Sequence, residues 1–406
     1  MMNKERKVKV GVVGLGGRSQ AWIQNYLKCP ACQITALCDK LDALVQEKNR
    51  LVTDGDKNAK AVGYTDYEKM LREADIDAVS LVVAPEYNAD LICLALAAGK
   101  HVICEVPLCY SIDECWRIVQ AVEKSGGLKF QLGEQVRFNA FIQAWRTMVQ
   151  NGTLGKMLYA QGQYLHGMGP NRFWHDSQTG ERITSEQAQK VKSHKSRGWN
   201  LIHPIRYMPH ELSPLLFVLD DRVTKVTGVA SRPQSYRYDW LPRSDVEVAL
   251  MHTERDTIIR LMAGFTVETQ VGSEHQYRLM GTGGWVDCEP HAKSGAGGLI
   301  WLANGYTSEA ADIKWAYNTP WDAPLAAREL GVPYSPQAMS SGHGGLDYWP
   351  IATFAQSILD DKPVAMDVYR AVESAAPAIL AGECMEKGYT WMDVPDFRSG
   401  RNKKRA

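Results

Sequence analysis

Short apolar runs and amphipathic segments take turns through the first 130 residues of the chain. Val8–Val13, Gln33–Cys38 (QITALC), Ala78–Val83 (AVSLVV), His101–Cys104 (HVIC) and Lys129–Leu132 (KFQL) are mostly β-branched or apolar over four to six positions, the signature of strands buried on both faces. DLICLALAAG and the amphipathic Ile112–Lys124 between them read as helices. Strands alternating with helices of this length predict a parallel sheet joined by right-handed crossovers. Past residue 130 the pattern changes. A helix over Ala140–Gln150 ends at Asn151-Gly152, and longer alternating strands follow. These are MLYAQGQYLHG, Arg222–Ser231, Val246–Thr253, Thr257–Met262 and His275–Gly281, with helices at Ala352–Leu359 and Val368–Glu386. The expectation is an α/β protein of two domains. Residues 1–132 form a parallel-sheet domain. Residues 133–406 form an α/β domain with a large, mostly antiparallel open sheet, whose C-terminal helices pack back near the junction.

Length supports two cores, because 406 residues exceed one ordinary domain. Lys plus Arg and Asp plus Glu balance at 46 each, which argues against nucleic acid as a partner. The basic tail RSGRNKKRA reads as a solvated terminus. No apolar run reaches membrane-spanning length, and MMNKERKVKVGVVGLGG reads as a first strand instead of a signal peptide. Nine scattered cysteines are an odd number and point to a reduced, cytoplasmic protein. Cys29-Pro-Ala-Cys32 is a lone CxxC, too little by itself to specify zinc or redox chemistry.

The candidate chemistry begins at VVGLGGRSQAW. Gly14-x-Gly16-x-x-Ser19 lies between a strand and a helix. There Gly14 permits a tight turn, Gly16 admits a pyrophosphate, and the helix N-terminus, with Gly17, Arg18 and Ser19, offers free N–H groups. The fingerprint is Rossmann-type. Asp39 ends the second strand 25 residues past Gly14, close to the ~20-residue spacing expected of an acid that holds ribose hydroxyls. A carboxylate there disfavours a 2′-phosphate, so NAD is the expected cofactor; Lys40 beside it is the feature that would favour NADP.

These pieces resemble the Gfo/Idh/MocA oxidoreductases, carried by VGLGGRS, Asp39, GYTDYEKML, DAVSLVVAP, AGKHVICEVP and VRFNAFIQAWRTMVQNGTLGKMLYAQGQYLHG. That resemblance implies cofactor contacts from Pro85, Glu105 and Pro107. The family's usual tripeptide is Glu-Lys-Pro, with a lysine that helps deprotonate a sugar hydroxyl. This chain has Glu105-Val106-Pro107, so the lysine's role cannot be carried over. The stretch matching the family's Thr-Pro-x-x-x-His also departs, reading Ala84-Pro85-Glu86-Tyr87-Asn88-Ala89. GHGGLDYWPIATFAQSILDDKPVAMDVYRAVESAAPAI, VPDFRSG and the Glu-Val-Pro itself resemble glycoside hydrolase family 109. The resemblance implies an NAD-dependent glycosidase that oxidises the sugar's 3-hydroxyl, eliminates the aglycone and restores the hydride. A net sugar or polyol dehydrogenase is the alternative, and a catalytically silent sugar- or NAD-binding protein is a further one.

With Val106 unable to move a proton, the acid and base groups are expected in the second domain. Tyr164 and His166 share one strand face, and Gly162 on that face leaves room for a ligand. They match the hydrolase family's Tyr-x-His. In HPIRYMPHELSPLL, Tyr207 and His210 lie three apart and match its Tyr-x-x-His. His210 is the candidate hydroxyl base, because imidazole titrates near neutrality. Tyr164 is the candidate carbon-acid base, and His203 is a rival to His210. Glu134 contacts sugar hydroxyls or pairs with Arg137, itself a candidate for substrate binding. His343, between glycines, faces substrate or backbone. Trp174, Trp199, Trp240 and Trp301 lie in loop-like stretches where a pyranose could stack. His166, His175, His203, His210 and Glu211 fit no trusted metal spacing, so no metal is expected. The expected partners are a small sugar or glycoside and further copies of the chain, docked through the second sheet; no membrane is expected.

Overall fold

The computed structural model describes residues 6–57, 61–167, 203–238, 241, 243–267, 275–288, 298–302 and 345–398, with short pieces within 176–187 and 331–340. The chain runs β1 (Val8–Val13), α1 (Ser19–Lys28), β2 (Cys32–Cys38), α2 (Asp42–Gly55), β3 (Val62–Tyr64), α3 (Tyr67–Glu73), β4 (Ala78–Leu81), α4 (Asn88–Ala97), β5 (His101–Cys104), α5 (Ile112–Lys124) and β6 (Phe130–Leu132). Then follow α6 (Ala140–Gln150), β7 (Met157–Leu165), α7 (Pro209–Leu219), β8 (Val223–Ala230), β9 (Glu247–Thr253), β10 (Ile258–Gly264), β11 (His275–Gly281), β12 (Gly284–Cys288), β13 (Gly298–Leu302), α8 (Tyr348–Leu359), α9 (Val368–Glu386) and β14 (Met392–Asp393).

The first six strands form one parallel sheet in the order β3-β2-β1-β4-β5-β6. The order reverses beside β1, the place where such sheets bind ligands beyond their strand ends. The second sheet has eight strands, β13-β12-β11-β7-β10-β9-β8-β14. All its pairs are antiparallel except β7 with β10, which run parallel at its centre. The mixed α/β architecture is the expected one. The alternating patterns placed β7 to β11, but β3 and β14 are too short to show a period, and β12 and β13 were passed over as a glycine turn and loop.

Two cores hold these layers together. Trp22, Ile23 and Tyr26 of α1, Val45 and Val52 of α2, and Trp349 and Phe354 of α8 cover one face of the parallel sheet. The other face shares a continuous core with α4, α5, α6, α7 and α9 and with the inner face of the second sheet. The late helix α8 therefore packs on the first domain, while α9 lies along β8 and α5. This return of the chain carries Asp347, at the start of α8, to the mouth of the parallel sheet.

Candidate active site

At the end of β1 the backbone turns through Gly14, whose φ of +83° favours glycine. A Cβ there would stand 2.5 Å from the Val82 carbonyl oxygen, so the position has no room for a side chain. Gly14 N–H donates to Cys38 O (2.9 Å) and Leu15 N–H to Asp39 Oδ2 (2.8 Å). Asp39 Oδ1 accepts Leu41 N–H at 3.0 Å. One half-buried carboxylate thus ties the glycine loop to the loop after β2, and each of its oxygens keeps a further lone pair that can accept from a hydroxyl. At the other side of the turn, Ser19 donates to Gly16 O through both its Oγ (2.7 Å) and its N–H (3.0 Å), and no side chain caps α1, so the next N–H groups of its first turn are left for an anion. Gly17 is exposed, with nothing within 4 Å of where a Cβ would be. An acid beside an uncapped, unobstructed helix start fits the ribose and pyrophosphate of NAD.

The opposite rim is made by β5 and the turn before α4. Glu105 N–H continues the sheet ladder to Leu81 O (2.9 Å), and the Val106–Pro107 peptide is cis. Buried Pro85 starts a 3-10 turn leading to Asn88, whose Nδ2 donates to Pro107 O (3.1 Å) and Leu108 O (3.0 Å). Arg18 does not point into open solvent toward phosphates. Its Nε donates to Glu105 Oε1, and its Nη1 and Nη2 grip Asp347 at 2.8 and 3.0 Å. Burial alone would lower the guanidinium's affinity for its proton, but Glu105 and Asp347 more than reverse this. The expected nucleotide-loop arginine is a clasp between the cofactor rim and α8.

Across the junction, Pro209 occupies the first position of α7, where a missing N–H costs nothing. Pro214 lies inside the helix and cannot donate to the carbonyl of His210. Tyr277 fills that gap: its hydroxyl donates to His210 O at 3.2 Å. Tyr277 sits opposite Gly162 in the β11–β7 register, where glycine leaves space above the strand. Gly162 makes room for protein instead of the expected ligand, since a Cβ there would stand 2.7 Å from Glu211 Cβ.

His210 and Glu211, about 100° apart on the helix, face different partners. His210 Nδ1 donates to Glu134 Oε1 (3.1 Å), which also accepts Val136 N–H (2.9 Å). Glu211 Oε1 accepts from His275 Nδ1. The result is two buried histidine–carboxylate pairs, with His210 6%, His275 9% and both glutamates 0% exposed. Tyr164 stands between them. Its ring lies 4.0 Å from that of His275, nearly parallel at 17°, and 6.4 Å edge-on from that of His210. Tyr207 (6.1 Å), His166 (5.8 Å) and Phe265 (5.3 Å) complete the ring cluster.

Burial pulls the His210 pKa down, but the hydrogen bond and charge of Glu134, with Glu211 and Glu105 behind it, raise it above the ordinary value. Tyr207 is pushed well above the usual phenol range by burial, then by Tyr164 and Glu105, so it keeps its proton. Glu211 is driven well up by burial and by Glu134, against the opposing charge of His210.

Tyr164, His166, Tyr207, His210 and Glu134 therefore come together. Others of the expected site residues do not. Arg137 is buried with its guanidinium 4.3 Å from the Phe217 ring centroid, and it makes no pair with Glu134, whose hydrogen bonds go elsewhere. His203 Nδ1 donates to Glu247 (2.7 Å) and its Nε2 meets Glu386 (3.1 Å), beside a separate cavity of about 340 Å³ near the end of α9. His343, His175, Trp174, Trp199 and Trp240 lie outside the described residues, as does the side chain of Trp301. All nine cysteines are free, and Cys29 and Cys32 are buried in the first domain's core. Among the described residues no metal-ligating cluster occurs, and no helix is long and apolar enough to cross a membrane.

His275 was missed, and Glu211 was weighed only as a metal ligand. The signal available was alternation, since His275 and Tyr277 share a strand face. Nothing in one sequence pairs that strand with β7.

A family model described as "Oxidoreductase family, NAD-binding Rossmann fold" matches residues 8–133, and one described as "Glycosyl hydrolase 109, C-terminal domain" matches residues 141–404. A protein of Saccharopolyspora erythraea named glycosyl hydrolase family 109 protein is 26% identical, over 97% of this chain and 84% of its own length. One from Bacteroides thetaiotaomicron with the same family name is 24% identical, over 98% and 87%. Among solved structures, scyllo-inositol dehydrogenase from Lactobacillus casei, with bound NAD(H) and scyllo-inositol, superposes with a TM-score of 0.68 at 20% identity, covering 96% of this chain and 99% of that one. An oxidoreductase domain protein from Kribbella flavida gives 0.71 at 17% identity, covering 96% and 100%.

Proposed function

We propose that this chain, which belongs to the glycosyl hydrolase 109 family and opens with an NAD-binding oxidoreductase domain, is a glycosidase that cleaves by transient oxidation at carbon 3 of a sugar. The observation that carries the reading is the convergence of Tyr164, His166, Tyr207 and the His210–Glu134 pair beyond the cofactor rim, where Val106 leaves no lysine to act. When bound, NAD would be held by the turn through Gly14, Gly16 and Gly17, the start of α1 and Asp39, bordered by Pro85, Glu105 and Pro107, and would supply a hydride acceptor that also returns the hydride.

The protein's groups divide the proton work by geometry. With Nδ1 committed to Glu134, His210 offers Nε2 to the 3-hydroxyl and accepts its proton as the carbonyl forms. The carbonyl acidifies the neighbouring C2–H, and Tyr164 Oη takes that proton. The C–H electron pair becomes the C1–C2 double bond and the C1–O bond to the aglycone breaks. His166 protonates the leaving oxygen. Water then adds at C1 and gives its proton to His166, Tyr164 delivers a solvent-exchanged proton to C2, and His210 returns its proton to O3 as the carbonyl is reduced. Tyr207, held protonated, serves as a hydrogen-bond donor to the sugar. Hydrolysis is net, and no reducing equivalents accumulate.

A nitrophenyl glycoside assay with added NAD tests this. The expected result is nitrophenol release with no net NADH; one NADH per sugar with no nitrophenol would establish a dehydrogenase in its place. His210 must be neutral to accept a proton, and its pKa is raised, so hydride transfer is expected to fall as pH drops through a value above the ordinary 6.5. Glu134→Gln removes the raising charge and should move that acidic limb to lower pH in a pH–rate profile.

The face of the second sheet away from α7 and α9 exposes Leu250 of β9, Ile258 of β10 and Met280 of β11, the last two on either side of Tyr159 of β7, and these apolar positions suit a second copy of the chain. Light scattering is expected to give a multiple of the 45.3 kDa chain mass.

A further inference from the structure

The glycosidase reading requires Tyr164 to be a base, yet a phenol ordinarily holds its proton to about pH 10. Something must favour the phenolate. Among the described residues, the groups around the ring include His275 from β11, Tyr207 from the turn before α7, His210 and Glu211 from α7, His166 beyond β7, and Phe265 beyond β10, with Glu134 behind His210. Glu134, and Glu211 whenever it is ionised, bring negative charge, which opposes a phenolate. His210 must be neutral at the moment it acts. His275 is the group whose ring is stacked on Tyr164, and the β11–β7 register makes the two direct cross-strand neighbours.

Resting on that glycosidase reading, we propose that His275 is a positioning residue for Tyr164, and that with Glu211 it forms a second proton-sharing pair which compensates the charge of the Tyr164 phenolate. The pair carries one proton between Glu211 Oε1 and His275 Nδ1. When Tyr164 is ionised, that proton resides on His275, and an imidazolium face lies on the phenolate ring. When Tyr164 takes the C2 proton, the shared proton moves back toward Glu211, whose burial favours its neutral form. The pair exchanges no proton with solvent, and the cycle leaves it unchanged. The site is built for this arrangement: Gly162 is bare so that Glu211 fits over β7, and Tyr277 above it ties the α7 backbone to β11.

The test is a near-ultraviolet phenolate titration of the NAD-loaded protein without substrate, in wild type, Tyr164→Phe, His275→Gln and Glu211→Gln. Tyr164→Phe identifies the signal of Tyr164. The expected result is one tyrosine ionising below the others in wild type, absent in Tyr164→Phe, and displaced upward by about one pH unit or more in His275→Gln, the effect of removing one nearby charge. The acidic limb of C2 exchange should move in the same direction. A titration of His275→Gln that superimposes on wild type would overturn the proposal, as would a low-pH signal that survives Tyr164→Phe. Should His275→Gln fail to bind NAD or to fold, Glu211→Gln carries the same test, because it removes the pair's anion and keeps the side-chain shape. Failure of the glycosidase reading shows separately, as wild-type protein that ionises Tyr164 as expected but exchanges no hydrogen at sugar carbon 2.

Discussion

Replacing His210 by Ala is expected to slow hydride transfer by about 10²–10⁴-fold, the usual contribution of a positioned general base. NAD affinity should stay as in wild type, measured by isothermal titration calorimetry. The separation follows from where the groups lie. The residues placed to hold the nucleotide are on the loops after β1 and β2 and at the end of β5, whereas His210 is on α7 of the second domain. His210 is also the one imidazole of the cluster whose Nδ1 is engaged by Glu134, which leaves Nε2 for the sugar. Val106, buried and apolar where the wider family has lysine, has no proton to give or take. A variant with wild-type hydride transfer would remove His210 from the mechanism.

Tyr164→Phe should divide the reaction at a different point. The ring remains, so stacking on His275 and the edge contact with Phe265 survive, and the fold should be little affected. Only the oxygen that accepts the C2 proton is lost. Solvent exchange at carbon 2 should fall by about 10²–10⁴-fold, while the first hydride transfer proceeds. In a single turnover this variant is expected to leave NADH and the 3-keto glycoside with the aglycone still attached. His210→Ala should leave neither. Opposite partial products from two residues 6.4 Å apart would be hard to attribute to general disruption of the site.

Much of this was legible in the sequence because local patterns dictate it. A glycine turn between strand and helix, and an acid at the next strand end, need no tertiary contact to be seen. Tyr164-x-His166 and Tyr207-x-x-His210 stand out on strand and helix spacing together with the family resemblance. What was hidden depends on strand order and on the return of the chain. Arg18 and Asp347 are 329 positions apart, and only the packing of α8 on the first domain brings them together. His275 meets Tyr164 because β11 pairs with β7 across an insertion of more than a hundred residues. Gly162 was read for the right property, smallness, and assigned the wrong tenant, because the helix above it is set by Pro209, Pro214 and Tyr277. His203 looked equivalent to His210 by residue type, but it is turned to Glu247 and Glu386, away from the ring cluster.

The most direct measurement is the isotope content of sugar released from a nitrophenyl glycoside by wild-type protein in deuterium oxide. Cleavage through oxidation and elimination is expected to place solvent deuterium at carbon 2 and to retain the original hydrogen at carbon 3, carried away and returned by NAD without net NADH. Released sugar with hydrogen still at carbon 2 would contradict the account, since direct displacement at carbon 1 needs neither Tyr164 as a carbon-acid base nor a cofactor.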